Sequence, residues 1–135
     1  MAFRFETLEI WQMAKEYATR VYAITAKFPR HEDYGLKSQL NRAVNSIALN
    51  IAEGTAKNSN KAFDYHLEIA LGSIFEVVAG AFRARIEPIS QRLSTVPYVR
   101  MVSDLRKALM HSETRSNKAG FLMPYAISHK LLFMS

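Results

Sequence analysis

Arg42, Ser46, Asn50 and Glu53 recur at intervals of four, four and three residues in the stretch "RAVNSIALNIAEG". That spacing stacks side chains on one face of a helix. Downstream, Glu68, Gly72 and Glu76 follow at intervals of four in "LEIALGSIFE". Rows of cation, hydroxyl, amide and carboxylate suit two kinds of chemistry. One is a hydrogen-bonded, charge-paired network between helices; the other is acid–base catalysis. The catalytic reading lacks its partners. His31, His66, His111 and His129 are scattered, and there is no HExxH. Glu68 and Glu76 lie two turns apart, outside the Glu-x-x-His pattern of di-iron bundles. Gly35, Gly54, Gly72, Gly80 and Gly120 lack the spacing of a phosphate loop. No serine stands in a nucleophile elbow, and the chain has no cysteine. The expectation is a non-enzymatic protein without metal or cofactor.

The elements that carry these rows follow from helical periodicity. A first helix is expected from about Thr7, as N-cap, to Phe28, with Ile10, Tyr17, Val21, Ile24 and Phe28 inward and Pro29 as its stop. A second is expected over Leu36 to Glu53, with Leu36, Leu40, Val44, Ile47 and Ile51 inward and Gly54 as C-cap. A third begins at Ser59 or Asn60 and runs to about Ile86, before Pro88. Phe63, Leu67, Ala70, Leu71, Ile74, Val78 and Phe82 mark its core. A fourth spans about Tyr98 to Arg115, with Val99, Val102, Leu105 and Leu109 inward. No stretch alternates in the manner of a strand. The expected fold is all-α, an antiparallel up-and-down four-helix bundle over residues 1–116. Residues 117–135 form an apolar tail, either packed on a neighbour or disordered.

On a wheel of about 100° per residue, Gln39, Arg42, Ser46, Asn50 and Glu53 share one arc beside the core seam. Asn41 and Asn45 point to a side expected to be solvated. Leu49 projects between that side and the row. Tyr65 and Ile69 likewise lie off the core seam of the third helix. A helix with apolar residues on two sides is usually covered on two sides, so the second cover is expected from another copy of the chain. Gly72 would let a neighbouring backbone approach, and Arg42 would meet Glu68 or Glu76. The alternative is an ion-pair network confined to the bundle.

Length and charge bound the function. At 135 residues the chain is one domain, and a net charge of +6 makes it basic. Residues 1–80 hold nine basic and nine acidic side chains, whereas residues 81–135 hold nine basic and three acidic. The excess therefore lies in the last two-fifths. It suits an anionic partner, most simply nucleic acid, or else a solvated helix face. Arg100, Lys107, His111 and Arg115 share one face of the fourth helix, diluted by Asp104. Arg83, Arg85 and Arg92 lie near the junction with the third, and Arg106 and Lys118 extend the patch. Such spacing neutralises successive phosphates without reading bases. Trp11, Tyr17, Tyr22, Phe28, Phe63, Phe75 and Phe82 fall at helical spacing and are expected in the core. Phe3 and Phe5 would staple the N-terminus onto the bundle. "MAFRFETLEI" has no apolar signal core and no apolar stretch reaches bilayer length, so a cytoplasmic protein without membrane contact is expected.

Three segments together, "FETLEIWQMAKEYATRVYAITAKFP", "YGLKSQLNRAVNSIALNIAEG" and "FDYHLEIALGSIFE", resemble the bacterial 23S ribosomal RNA intervening-sequence proteins over about residues 3–110. Accessory variability proteins of diversity-generating retroelements look like relatives. The resemblance implies a four-helix bundle assembled as a ring-like homopentamer. It also implies RNA or DNA binding through a basic barrel surface, and contact with a nucleic-acid-processing protein, at least for the retroelement relatives. The family's polar motif maps onto Arg42, Ser46, Asn50, Glu53 and Gly54, and onto Glu68, Gly72, Ser73 and Glu76. The sequence departs from the family pattern after Glu76 and in the tail after Gly120. A non-catalytic scaffold is the expected role; a protein-interaction module without nucleic acid is the alternative.

Overall fold

The computed structural model describes residues 3–84 together with Arg100, Ser103, Asp104, Arg106 and Lys107. The described residues are helical throughout their regular elements and contain no strand. Three α-helices follow in order: α1 (Glu9–Thr25), α2 (Leu36–Thr55) and α3 (Asn60–Arg83). The all-α expectation holds. The fourth helix is described only at its five helical residues, and the tail from 117 onward lies outside the described residues.

Local chemistry sets the ends. Thr7 does not cap α1. It closes a preceding 3-10 turn, Arg4–Thr7, with its hydroxyl donating to the Arg4 carbonyl at 3.1 Å. The helix starts one residue later than a cap at Thr7 would give, and ends at Thr25, ahead of Phe28. At α2 the Glu32 carboxylate accepts the Leu36 N–H at 2.8 Å, which satisfies one of the orphan donors of the first turn. Ser59 caps α3 by accepting the Ala62 N–H at 3.2 Å, as expected.

Gly54 was expected as a C-cap, yet α2 continues through it to Thr55. Its role is contact. A Cβ at Gly54 would lie 2.3 Å from Phe63 Cδ2 and 3.1 Å from His66 Cβ, so only a bare backbone admits the aromatic ring. Gly80 receives Leu40 in the same way, at 2.5 Å from its Cδ2.

α2 is the middle helix, with α1 on one side and α3 on the other. Gly54 faces Phe63, Ser46 faces Ser73 and Leu40 faces Gly80, so α2 and α3 run antiparallel. Thr25 bonds Asn41 at 2.7 Å and Tyr22 meets Asn45 at 2.5 Å, so α1 and α2 are antiparallel too. Asn41 is therefore half-buried against α1, whereas Asn45 is exposed, as expected, and meets Tyr22 at the surface.

The core joins Ile10, Ala14, Tyr17 and Val21 with Leu40, Val44, Ile47 and Ile51 and with Phe63, Leu67, Ala70, Ile74, Val77 and Ala81. Each large side chain removed from water here stabilises by about 1.5–3 kcal/mol. Two expectations for α3 are corrected. Its buried row passes through Val77 and Ala81, and Phe82 stands outside it, 69% exposed. Phe75 is also outside, 56% exposed, and Tyr22 lies at the surface beside Asn45. By length and composition α3 is apolar enough to cross a membrane, although one side of it is packed on α2.

Gly54→Ala should lower stability by about 1–3 kcal/mol, because the added methyl meets a ring held on both sides. Trimming the ring in the double variant Gly54→Ala, Phe63→Leu should recover part of that loss beyond additivity. Urea unfolding of the four proteins of this cycle checks it.

Candidate functional site

The expected polar row divides into an inner seam and an outer face. Ser46 and Asn50 line the seam between α2 and α3. Asn50 Nδ2 donates to the Ser46 carbonyl at 2.8 Å and lies 3.1 Å from Ser46 Oγ. Ser73 Oγ lies 2.9 Å from Ser46 Oγ and 3.0 Å from the Ile69 carbonyl. A hydroxyl has one hydrogen, so the consistent arrangement passes Ser46 O–H to Ser73 and Ser73 O–H to Ile69. His66 Nδ1 stands 3.2 Å from Asn50 Oδ1. That amide oxygen can only accept, which assigns the hydrogen to Nδ1. Glu53 Oε2 lies 3.6 Å from the same nitrogen, close enough for attraction but long for a hydrogen bond. Both hydroxyls and the amide are thus committed to one another.

Arg42, Leu49 and Glu53 on α2, and Tyr65, Glu68, Ile69, Gly72 and Glu76 on α3, are exposed. In the register that sets Ser46 against Ser73, Arg42 comes level with Glu76, Leu49 with Ile69 and Glu53 with Tyr65. Leu49 is 64%, Tyr65 62% and Ile69 37% exposed, which is far from core burial for such side chains. Beside Ser46, a Cβ on Gly72 would meet nothing within 4 Å, so the face has a flat open step there. The hairpin therefore presents an apolar centre with Arg42 and Glu76 at one end and Glu53 at the other. Among the described residues Arg42 forms no ion pair with Glu68 or Glu76.

Glu68 instead leans toward Arg106, at 3.8 Å. Arg106 grips Asp64 with two nitrogens, Nε to Oδ1 at 2.7 Å and Nη2 to Oδ2 at 3.3 Å. The bond to Asp64 raises the guanidinium above the ordinary arginine range, against the opposing effect of burial. This expected member of the basic patch is thus occupied in holding the fourth helical segment onto α3. Arg83, Arg100 and Lys107 are exposed; Arg85, Arg92 and Arg115 lie outside the described residues. Asp64 and Arg83 are nineteen residues apart on α3, so Lys107 and Arg83 sit near opposite ends of that helix, about 28 Å apart along its axis.

Residues 6–94 match the family described as 23S rRNA-intervening sequence protein. The chain belongs to that family. The match contains α1, α2 and α3 entire, so both polar rows and the seam fall inside the 23S rRNA-intervening sequence region, whereas Arg100 to Lys107 follow it. No curated protein matches the chain.

Two residues of the site were not singled out from the sequence. His66 looked isolated because its partners are remote in sequence. Across a four-residue loop, however, α2 and α3 positions whose numbers add to nearly the same value must face one another, and that rule pairs Asn50 with His66. Asp64 carried no such signal, since no short loop fixes the register of Arg106.

Asn50→Ala should destabilise the protein by about 1–3 kcal/mol, since it takes the acceptor from His66 Nδ1 and a donor from Ser46. A thermal unfolding comparison with wild type measures it. For the Asp64–Arg106 pair, a double-mutant cycle of alanine variants should return a coupling of about 1 kcal/mol, as for a half-buried bidentate pair near the surface.

Proposed function

We propose that this chain is a non-catalytic scaffold that assembles with copies of itself and presents a basic surface to RNA or DNA in the cytoplasm. The unit is an antiparallel up-and-down four-helix bundle, and the assembly, following the family resemblance, is a ring-like homopentamer. The observation that carries the reading is the exposed apolar centre at Leu49, Tyr65 and Ile69, bordered by Arg42, Glu53 and Glu76. An apolar patch rimmed by charge is the usual anatomy of a protein interface. The open step at Gly72 favours close approach of a second backbone.

The fourth helix of this unit runs back along α3. The chain leaves α3 at Arg83 and by Arg106 is again beside Asp64, near the other end. The exposed cations of that helix, Arg100 and Lys107, join the outer surface of each subunit. Repeated around an assembly, a modest basic patch gains affinity through multivalency. Catalysis finds no support in the seam, because Ser46, Ser73 and Asn50 spend their hydrogens on one another and on the Ile69 and Ser46 carbonyls. A nucleic-acid-processing protein is a further partner that the resemblance suggests.

Native mass measurement, with and without nuclease, tests both halves. The expected result is a multiple of the 15.4 kDa chain that persists after nuclease, with extra nucleic-acid mass before it. Reversing Arg100, Lys107 and Arg115 to Glu together should lower nucleic-acid retention at about 50 mM salt by tenfold or more while the assembly survives. A monomer free of nucleic acid contradicts the reading. A co-purifying protein that resists nuclease and high salt would shift it to a protein-interaction module.

A further inference from the structure

We propose that His66 links the covering of the α2–α3 face to a proton: contact with a second copy of the chain draws a proton onto this imidazole, so assembly tightens as the pH falls. The inference rests on the scaffold reading above and adds a control to it.

His66 lies where the polar seam meets the outer face. Its side chain is 12% exposed, against 66% for Glu53. The Tyr65 ring stands edge-on to the imidazole, with centroids 5.8 Å apart. The asparagine amide fixes which nitrogen titrates. Asn50 Nδ2 donates to the Ser46 carbonyl at 2.8 Å, so Oδ1 is turned toward His66 Nδ1, at 3.2 Å. Nδ1 therefore keeps its hydrogen in both charge states, and the proton that comes and goes is on Nε2. Charging the ring breaks no bond of the seam. It changes the field at Glu53, whose Oε2 lies 3.6 Å from Nδ1. From α2 the groups against the ring are Asn50, Glu53 and Gly54, and among the described residues Glu53 is the charge paired with it. One turn away on α3 stand Ala62, Ile69 and Ala70, which carry none. Asp64, which holds Arg106 of the fourth helical segment, is two residues from His66 and so about 200° round the helix.

Assembly changes the two partners unequally, and that decides the sign. The ring has already lost most of its water in the lone subunit, so covering it again adds little to the cost of charging it. Glu53 keeps most of its water there. It borders the apolar centre at Leu49, Tyr65 and Ile69, and loses that water when a second copy covers the centre. A carboxylate stripped of water and left alone is costly, whereas its attraction to an imidazolium grows as the water leaves. The assembled state therefore holds the proton more tightly than the lone subunit does. By linkage, the gain is fully present below the range in which the lone subunit's imidazole titrates, and is lost as the pH rises through the higher range of the assembled one. Imidazoles titrate near neutrality, so the control operates between about pH 6 and pH 8.

The test is light scattering of the full chain on serial dilution, at those two pH values and equal ionic strength. Wild type should dissociate at a concentration about tenfold lower at the acid end than at the alkaline end, as one proton taken up per contact allows. Glu53→Gln, a change at the surface, should remove that difference, and His66→Gln should remove it too. Should His66→Gln fail to fold, Glu53→Gln decides alone. In a proton NMR titration of wild type, the His66 Cε1–H signal should reach its midpoint at higher pH in a concentrated, assembled sample than in a dilute one. Equal wild-type assembly at both pH values, a difference that survives Glu53→Gln, or a His66 midpoint that does not rise on assembly would overturn the proton link and leave the scaffold reading standing. A chain that stays monomeric at both pH values would overturn both.

Discussion

At Gly54 the chain has no room for one more carbon, and that constraint fixes how α2 lies on α3. The Phe63 ring rests on the bare backbone there. The next contacts along the hairpin, Asn50 with His66 and Ser46 with Ser73, fall into line behind it. Sliding one helix by a turn would lift the ring off the glycine and break the hydroxyl and amide chain at once. The apolar contact supplies the larger energy, whereas the polar seam penalises every other register, because unpaired buried groups cost more than paired ones return.

The same register builds the surface. It sets Leu49 level with Ile69 and Arg42 level with Glu76, so residues from two helices become one patch. α3 is the reason that a patch exists at all. It is apolar around most of its circumference, and packing against α2 uses only one side. Tyr65 and Ile69 remain on a second side, and Phe75 and Phe82 on a third. The Asp64–Arg106 pair ties the fourth helical segment to the N-terminal end of α3.

Much of this was legible in the sequence. The 3.6-residue period gave all three helices and most of the α2 core, and Ser59 was readable as a cap. Leu49, Tyr65 and Ile69 were identified as off-seam residues, and they are exposed as that placement requires. Gly54 was misread because glycine serves two purposes, and local sequence does not say whether it ends a helix or admits a ring. Phe82 was misread because bulk is taken as a sign of burial. Close helix approach instead selected the small Ala81 and left its large neighbour outside. Asn41 was placed in solvent because polar residues on a helix are assumed to face water, yet it is half-buried and Thr25 of α1 supplies its partner, whereas Asn45 is exposed as expected. Arg106 was read as a free cation, because a salt bridge across forty-two residues leaves no local trace.

The central claim is that the outer face of the α2–α3 hairpin is covered by another copy of the chain. Covalent tyrosine labelling of the native protein, read residue by residue, addresses it directly. In a lone subunit Tyr34 is fully exposed and Tyr65 is 62% exposed. The account predicts rapid modification of Tyr34 and strong protection of Tyr65, with the protection lost on dilution to the monomer. Modification of Tyr65 in proportion to its exposure in the lone subunit, at every concentration, would contradict it.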